Sequence, residues 1–596
     1  MRKVILNCCT KNIEEFREAA KFAKENNFTH VVISQVEPAM WLWDRDRKDP
    51  YPNWGMGQAS LFKIIVPEKL KEFIPEDYAK RNLDLVMQRS DILKEYGLKA
   101  VFIGSEPAWM TEEVYRKHPS WRGPRCDQPR RSRHEYYAPC VDNPEVLELY
   151  DECVQKLCKI IPIEYFQFLT NDSGSGICWS DRLYPKANGP KSCKHISVAD
   201  KAVGFLTTIQ EAAAKAGVTA EVGYWKNFLD TEISAIIPKL KDNQFCGKYT
   251  NSATVTTKEI RGDGYMVNDA TYPISELPLT VRFMDMMMDI VGDDESNIYY
   301  CINSIHQKEY LEIIKQCQFT GNLKNTVISK FENLREVAKT LIGDKYADNL
   351  VNIWNEIHIA QDRLGYLNRG GHILTLGTIH QRWLTRPLVP FPGELTPEEK
   401  SYYRDYIFQA GTEEQADHLT NMQATVWCAG ESGRWLFENN SAYAMVPVDK
   451  AIQMIDELLA TEDIGDYRDN LTELKLKLRM YKCIINNANN VIHFQSILDR
   501  TDYEAVPEDT TLAIEEQGDI RMYKLERIIR DEIDNTYEII ELLDAAKTPL
   551  LKCEDNIEFK SIMKFGPDLR DDLLKKIDIM HNHQYELNRL YRSYNL

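Results

Sequence analysis

The amino-acid sequence predicts an α/β protein: a (β/α)8 TIM barrel over residues 1–325 followed by an all-α region over residues 326–596. Three observations predict it. Short apolar runs alternate with amphipathic stretches six times before about residue 250, the order of a parallel sheet with right-handed crossover helices. Connections leaving the strands are long, at about 37–76, 105–143 and 171–195, whereas those entering strands are a few residues; barrels build sites from such loops. Beyond about Asn322 the texture changes to long segments of apolar 3–4 spacing with charged opposite faces.

Each element has a local reason. Val4 to Cys8 reads as the first strand, and Ile13 to Asn26 as a helix with Phe16, Ala19, Ala20 and Ala23 on one face. Val31 to Val36 is the second strand. Tyr78 to Tyr96 is a helix closed by Gly97, and Ala100 to Gly104 is the third strand. Asn143 before Pro144 caps a helix to Ile161, and Tyr165 to Thr170 follows as the fourth strand. Val198 to Ala216, stopped by Gly217, leads to Val218 to Tyr224. A helix over Phe228 to Lys241 leads to Phe245 to Tyr249. Ile298 to Asn303 is a good later strand and Cys317 to Thr320 a poor one. In the second half, helices are predicted over Thr326 to Ile342, Tyr346 to Leu364, Pro397 to Gln409, Val448 to Leu459, Asn470 to Asn486, Ile520 to Leu543 and Asp568 to Tyr594. Pro387 to Gly393, with three prolines, breaks that series.

Composition narrows the class. At 596 residues with 43% hydrophobic and 28% charged side chains, the chain has the mix of a soluble globular enzyme, neither disordered nor fibrous. A formal charge of −18 disfavours nucleic acid as partner. The 14 cysteines include no C-x-x-C pair, so they read as mostly reduced thiols, with no metal or cofactor expected. No apolar run reaches the ~18 residues of a membrane helix. Met1 to Asn7 is too short and polar for a leader, which reads as cytoplasmic; a chain whose leader had been removed, periplasmic or secreted, would read the same.

Candidate chemistry clusters after the strands. The fourth strand runs into Asn171-Asp172-Ser173-Gly174-Ser175-Gly176, placing Asp172 at a barrel mouth where a catalytic acid would stand, although an Asx-turn would use the same residues. Strand two ends in Glu37-Pro-Ala-Met-Trp41 and strand three in Glu106-Pro-Ala-Trp109. A carboxylate beside an apolar ring has its pKa raised by desolvation, which suits acid–base work; Glu before Pro is also an ordinary turn starter. Seven of the 11 tryptophans precede residue 226, all in predicted post-strand loops. Trp41, Trp43, Trp109, Trp179 and Trp225 are therefore candidate sugar-stacking rings, set against plain loop packing. Asn171 and Lys226 would contact substrate beside them. Residues 116–134 carry seven Arg and Lys against Asp127, so Arg125, with Arg382 from the later region, is a candidate for an acidic group; a solvated loop paired with nearby acids is the competing reading. Nucleotide-binding, zincin and serine-hydrolase motifs are absent.

The run from Tyr78 to Gly97, the strand to Phe102, Asp142-Asn-Pro-Glu-Val146, Ile160-Ile-Pro162, and Phe166 to Gly174 together resemble the barrel of the α-glucuronidases of glycoside hydrolase family 67, over about residues 75–180. The related family 20 and 115 glycosidases share the plan of a barrel followed by helices. The resemblance implies glycoside hydrolysis, with a Glu after Asp-Ser as general acid; here Gly174 stands in its place. Either Asp172 takes the acid role, or Glu106 or Glu37 supplies it, or catalysis has been lost.

The expected function is therefore a glycoside hydrolase, exo-acting on the terminus of an oligosaccharide or glycoconjugate, with an acidic (uronic or sulfated) sugar or a hexosamine as the candidate residue. Asp172 would be the acid and Glu106 or Glu37 its partner. The alternative is a catalytically decayed barrel that binds carbohydrate. Apolar stripes on Asn470 to Asn486 and Asp568 to Tyr594 predict a homodimer.

Overall fold

The structure is a computed structural model that describes residues 2–39, 57–127, 134–169, 176–181, 188–225, 228–247, 264–268, 274–290, 295–302, 305–319, 327–365, 383–403, 430–461, 464–498, 514–560 and 565–592. The chain packs as two compact units, residues 1–270 with 283–330, and residues 271–282 with 331–596.

The first unit holds ten strands: β1 (Val4–Asn7), β2 (His30–Val32), β3 (Lys99–Ser105), β4 (Arg122–Arg125), β5 (Tyr137–Pro139), β6 (Tyr165–Leu169), β7 (Glu221–Trp225), β8 (Gln244–Gly247), β9 (Gly264–Asn268) and β10 (Asn297–Cys301). Eight of them form one sheet in the order β8-β7-β6-β3-β2-β1-β10-β9, every neighbouring pair parallel. β1 lies between β2 and β10, so the order is circular like that of a barrel. Among the described residues no ladder joins β8 to β9, and the architecture established is a curled parallel α/β sheet. β4 and β5 form an antiparallel ribbon inside the long connection after β3.

The curl follows from the inner face. Ile5, Val32, Val101, Ile103, Tyr165, Phe245 and Tyr299 come from six strands into one buried cluster, with Trp225 and Cys301 packed on it. Gly223 makes room for this: a Cβ there would stand 2.2 Å from the Phe245 ring, which stacks on Tyr165 at 5.4 Å. Side chains alternate across a strand, so Phe102, Phe166, Phe168 and Tyr224 face outward, where Phe102 packs on Phe166 and Phe168, and Phe168 and Tyr224 meet Phe205 of the helix Val198–Lys215. Such aromatic pairs contribute roughly 0.5–1.5 kcal/mol each beyond their buried area.

The local signals acted as their chemistry requires. Asn143 accepts from the Glu145 backbone N–H at the start of the helix Pro144–Ile160. Gly97 closes Glu76–Tyr96 at φ +67°, a left-handed conformation that glycine adopts without Cβ strain. One expectation fails and one strand was not foreseen. Cys317 belongs to the helix Lys308–Phe319, which Tyr310, Ile313 and Ile314 anchor by burying one face. Residues 264–268, unassigned in the sequence, pair with β10 as a strand. Outside the main sheet, the ribbon β4–β5 was also unexpected.

In the second unit the long helices are Ala347–Gly365, Gly430–Leu459, Arg468–Leu498, Ile514–Ala545 and Leu569–His583. Gly430–Leu459 runs through Pro447, where the sequence suggested a helix start. Leu471, Leu474, Leu478 and Met480, like Leu569, Leu573, Ile577 and Met580, are buried within the chain itself. The two stripes that suggested a homodimer are thus already covered, which removes that ground for it. No helix among the described residues is long and apolar enough to cross a membrane.

Candidate active site

The C-terminal ends of the parallel strands carry polar side chains on the inner face. Gln35 Nε2 donates to Asn7 Oδ1 at 2.7 Å, and Asn7 Nδ2 donates to the Tyr299 hydroxyl at 2.8 Å. Register sets Ile103 beside Gln167, and Leu169 between Ser105 and Trp225. Ser105 and Gln167 stand two positions beyond the inner residues Ile103 and Tyr165, so they share that face, and Trp225 packs on the inner cluster itself. Gln167 is 0% exposed, yet neither amide atom has a hydrogen-bond partner. Ser105 Oγ and Trp225 Nε1 are buried without one too. Orphaned buried polar atoms cost about 1–3 kcal/mol each, so three neighbouring strands that carry them on one face call for a ligand or ordered water. Gln167 lies four residues before Asn171 in the sequence. Gln167 was not singled out by its sequence context, because a lone Gln within an apolar strand carries no motif.

Each anticipated residue has a definite place or lies outside the described residues. Asn171, Asp172, Trp41, Trp43, Lys226 and Arg382 lie outside them. Glu106 is 0% exposed, immediately after β3. Its Oε1 accepts from Ser60 Oγ at 3.0 Å and the Leu61 N–H at 2.6 Å; its Oε2 accepts from the Ala108 N–H and the Tyr150 hydroxyl, both at 2.9 Å. Burial pushes this carboxyl above the usual carboxylate range, against the four donors that lower it. Its donors occupy both oxygens. Nearby, burial draws the Lys63 ammonium, which donates to the Gln58 carbonyl, down to about 7. Glu37 is exposed and lies 3.7 Å from Arg81.

The aromatic candidates divide. Trp109 is half-buried, 4.9 Å from the Tyr136 ring. Trp225 ends β7 itself and belongs to the inner face, not to a following loop. Trp179, at φ +68°, donates from Nε1 to the Pro190 carbonyl at 3.0 Å, and Lys194 lies over its ring. Trp121, counted with the loop tryptophans, is 0% exposed, stacks on His118 at 3.8 Å and donates to Glu145. It is core. Three basic residues of this loop are paired within the chain: Arg125 holds Asp127 through Nε and Nη2 at 2.6 and 2.9 Å and reaches Glu135 at 2.8 Å, Arg122 pairs with Glu112, and Lys117 with Glu72, while Arg130, Arg131 and Arg133 lie outside the described residues.

No protein-family model matches the chain, and no curated protein matches it. Among solved structures it is similar to a GH138 enzyme targeting pectin rhamnogalacturonan II, with TM-score 0.50 and 10% identity over 99% of this chain and 67% of that one. The fold is one that a glycoside hydrolase uses. Weaker likenesses, too low to carry an argument, are to the Thermobaculum terrenum O-GlcNAc hydrolase (TM-score 0.35, 11% identity, 98% of this chain and 96% of that one) and to the GH36 α-galactosidase AgaA of Geobacillus stearothermophilus (0.31, 13%, 53% and 41%). The GH138 likeness supports a glycosidase-like fold, not family 67, 20 or 115 specifically.

Proposed function

We propose that the parallel-sheet unit, residues 1–325 in the sequence reading, closes as a (β/α)8 barrel and is a glycoside hydrolase acting from the end of a glycan. The observation that carries this is the row of buried, unpartnered polar atoms on Ser105, Gln167 and Trp225 at the strand C-termini, where barrel enzymes place substrate. Asp172, three residues beyond β6, is the proton donor to the leaving oxygen, with Asn171 beside it on substrate. Glu106 has both oxygens occupied and is assigned a positioning role, holding the Ser60–Leu61 backbone and Tyr150 under the site. Glu37 is then the candidate partner carboxylate. Trp225 and Trp109 offer apolar faces to the sugar, joined by Trp41, Trp43, Trp179 and Lys226.

Turnover of aryl glycosides and uronides by the wild-type protein and by Asp172→Asn tests the reading. The acid assignment predicts a loss of ~10²-fold or more in kcat with binding retained. Gln167→Met is expected to hold or raise stability while weakening sugar binding at least tenfold, a split that a purely structural glutamine would not produce. Equal turnover by Asp172→Asn would refute the acid. Saturable glycan binding by a wild-type protein that turns over none of the panel would favour the carbohydrate-binding alternative, which Gly174 and the occupied Glu106 both support.

A further inference from the structure

Cys140, Cys178 and Cys193 are separated by up to 53 residues in sequence, yet their sulfurs converge. Cys178 Sγ lies 3.5 Å from Cys140 Sγ, Cys140 Sγ lies 3.8 Å from Cys193 Sγ, and all three are within 4.8 Å of one another. All are free thiols, none more than 3% exposed. A disulfide would need about 2.05 Å between two sulfurs, and it would leave the third cysteine out. Two thiolates bound to one tetrahedral ion at ~2.3 Å stand ~3.8 Å apart, which is the spacing seen here.

The surroundings suit negative charge. Lys201, 2% exposed on the helix Val198–Lys215, donates from Nζ to the carbonyls of Cys178 (3.4 Å) and Ile196 (2.7 Å), and no carboxylate lies within ion-pair distance of it among the described residues. A buried ammonium with only carbonyl partners is costly unless an anion lies near. The half-buried Trp179 packs against the three cysteines.

We propose that Cys140, Cys178 and Cys193 bind a thiophilic d10 metal ion, Zn2+ or Cu+, with Lys201 as the buried cation that offsets the thiolate charge. Soft thiolate sets select these ions. Three protein ligands suffice for trigonal Cu+, while Zn2+ would take a fourth, non-protein ligand. Binding would tie the end of the β4–β5 ribbon to the connection after β6, the one that contains Asp172, and so act as a clamp on the candidate site's loop. Binding is read without reference to activity, so it stands or falls independently of the glycosidase assignment.

The test is the metal content of the full chain, purified under reducing conditions without chelator, before and after incubation with Zn2+ or Cu+ alone and removal of the excess. The proposal expects about one ion per chain. If the site selects zinc, Co2+ loading of the same protein gives thiolate charge-transfer bands; if it selects Cu+, the ion is withdrawn by a Cu+-specific chelator and not by one for zinc. Cys193→Ser should abolish retention, and Lys201→Met should weaken it ~10–100-fold, as loss of an outer-shell partner does, with the helical circular-dichroism signal unchanged. Because a cysteine variant could fail to fold, the wild-type stoichiometry and Co2+ spectrum decide. Less than a tenth of an equivalent of either ion on the wild type, or a disulfide within the trio in the freshly isolated protein, would overturn the proposal.

Discussion

Glu106 in the sheet unit and Glu532 in the helical unit are both 0% exposed, and the chain meets the cost of burying each carboxylate differently. Glu106 is held by neutral donors alone: two backbone N–H groups, a serine and a tyrosine hydroxyl. Glu532 is held by a cation. Lys576 Nζ hydrogen-bonds its Oε1, while Asn487 at 2.7 Å and Asn490 at 2.8 Å complete its shell; Lys576, also 0% exposed, donates to the Leu384 carbonyl at 2.9 Å as well. Burial lowers the Lys576 ammonium from its ordinary value, with Glu532 opposing that shift. Dipoles spread over two loops and the helix Pro144–Ile160 knit these segments together without introducing a second buried charge. An ion pair concentrates the same task in one partner, whose loss strands the other.

The largest expected effect breaks the ion pair. Lys576→Met should destabilise the helical unit by about 3–5 kcal/mol, because Glu532 is left charged and buried with only amide donors. Denaturant unfolding checks it, and adding Glu532→Leu should recover much of the loss. If the double variant is no better than the single, the cost is packing and not charge.

Next is Glu106→Gln, expected to cost about 1–3 kcal/mol, because its NH2 would face donors where an oxygen now accepts. Tyr150→Phe removes one donor of four and should cost ~1.5 kcal/mol, in the range for a bond to a charged group. Thermal unfolding that ranks Tyr150→Phe above Lys576→Met would contradict the comparison.

The smallest effect at neutral pH is a titration in the sheet unit. Burial, then the charges of Lys3 and Lys99, hold His30 down to about 4 from 6.5. Between those values the unfolded chain binds a proton that the folded one does not, so this contribution to stability is present above pH 6.5 and is lost as pH falls toward 4. Glu106 runs the other way: its raised value means that the burial penalty is relieved as pH falls through its folded pKa. Melting temperatures of wild type and His30→Leu should therefore diverge from pH 6.5 down to 4, with the wild type losing more. Parallel curves would mean that His30 is solvated.

The sequence by itself determined what depends on neighbours a few residues away. The six strands β1, β2, β3, β6, β7 and β8 with the helices between them, the Asn143 and Gly97 caps, the long connections after the strands and the place of Asp172 after a strand were all readable, because helix period, strand alternation and capping act within about four residues. Tertiary structure decided what depends on distant partners. Glu37 and Glu106 share the local string Glu-Pro-Ala, yet one is exposed beside Arg81 and the other is sealed by donors 44–46 positions away, as Ser60 and Tyr150 are. Trp121 and Trp109 look alike in sequence and differ in burial for the same reason. The three converging cysteines carry no short spacing, and Gln167 no motif. Burial and convergence are set by contacts between strands and loops brought together only on folding, where desolvation makes a polar atom either paired or costly.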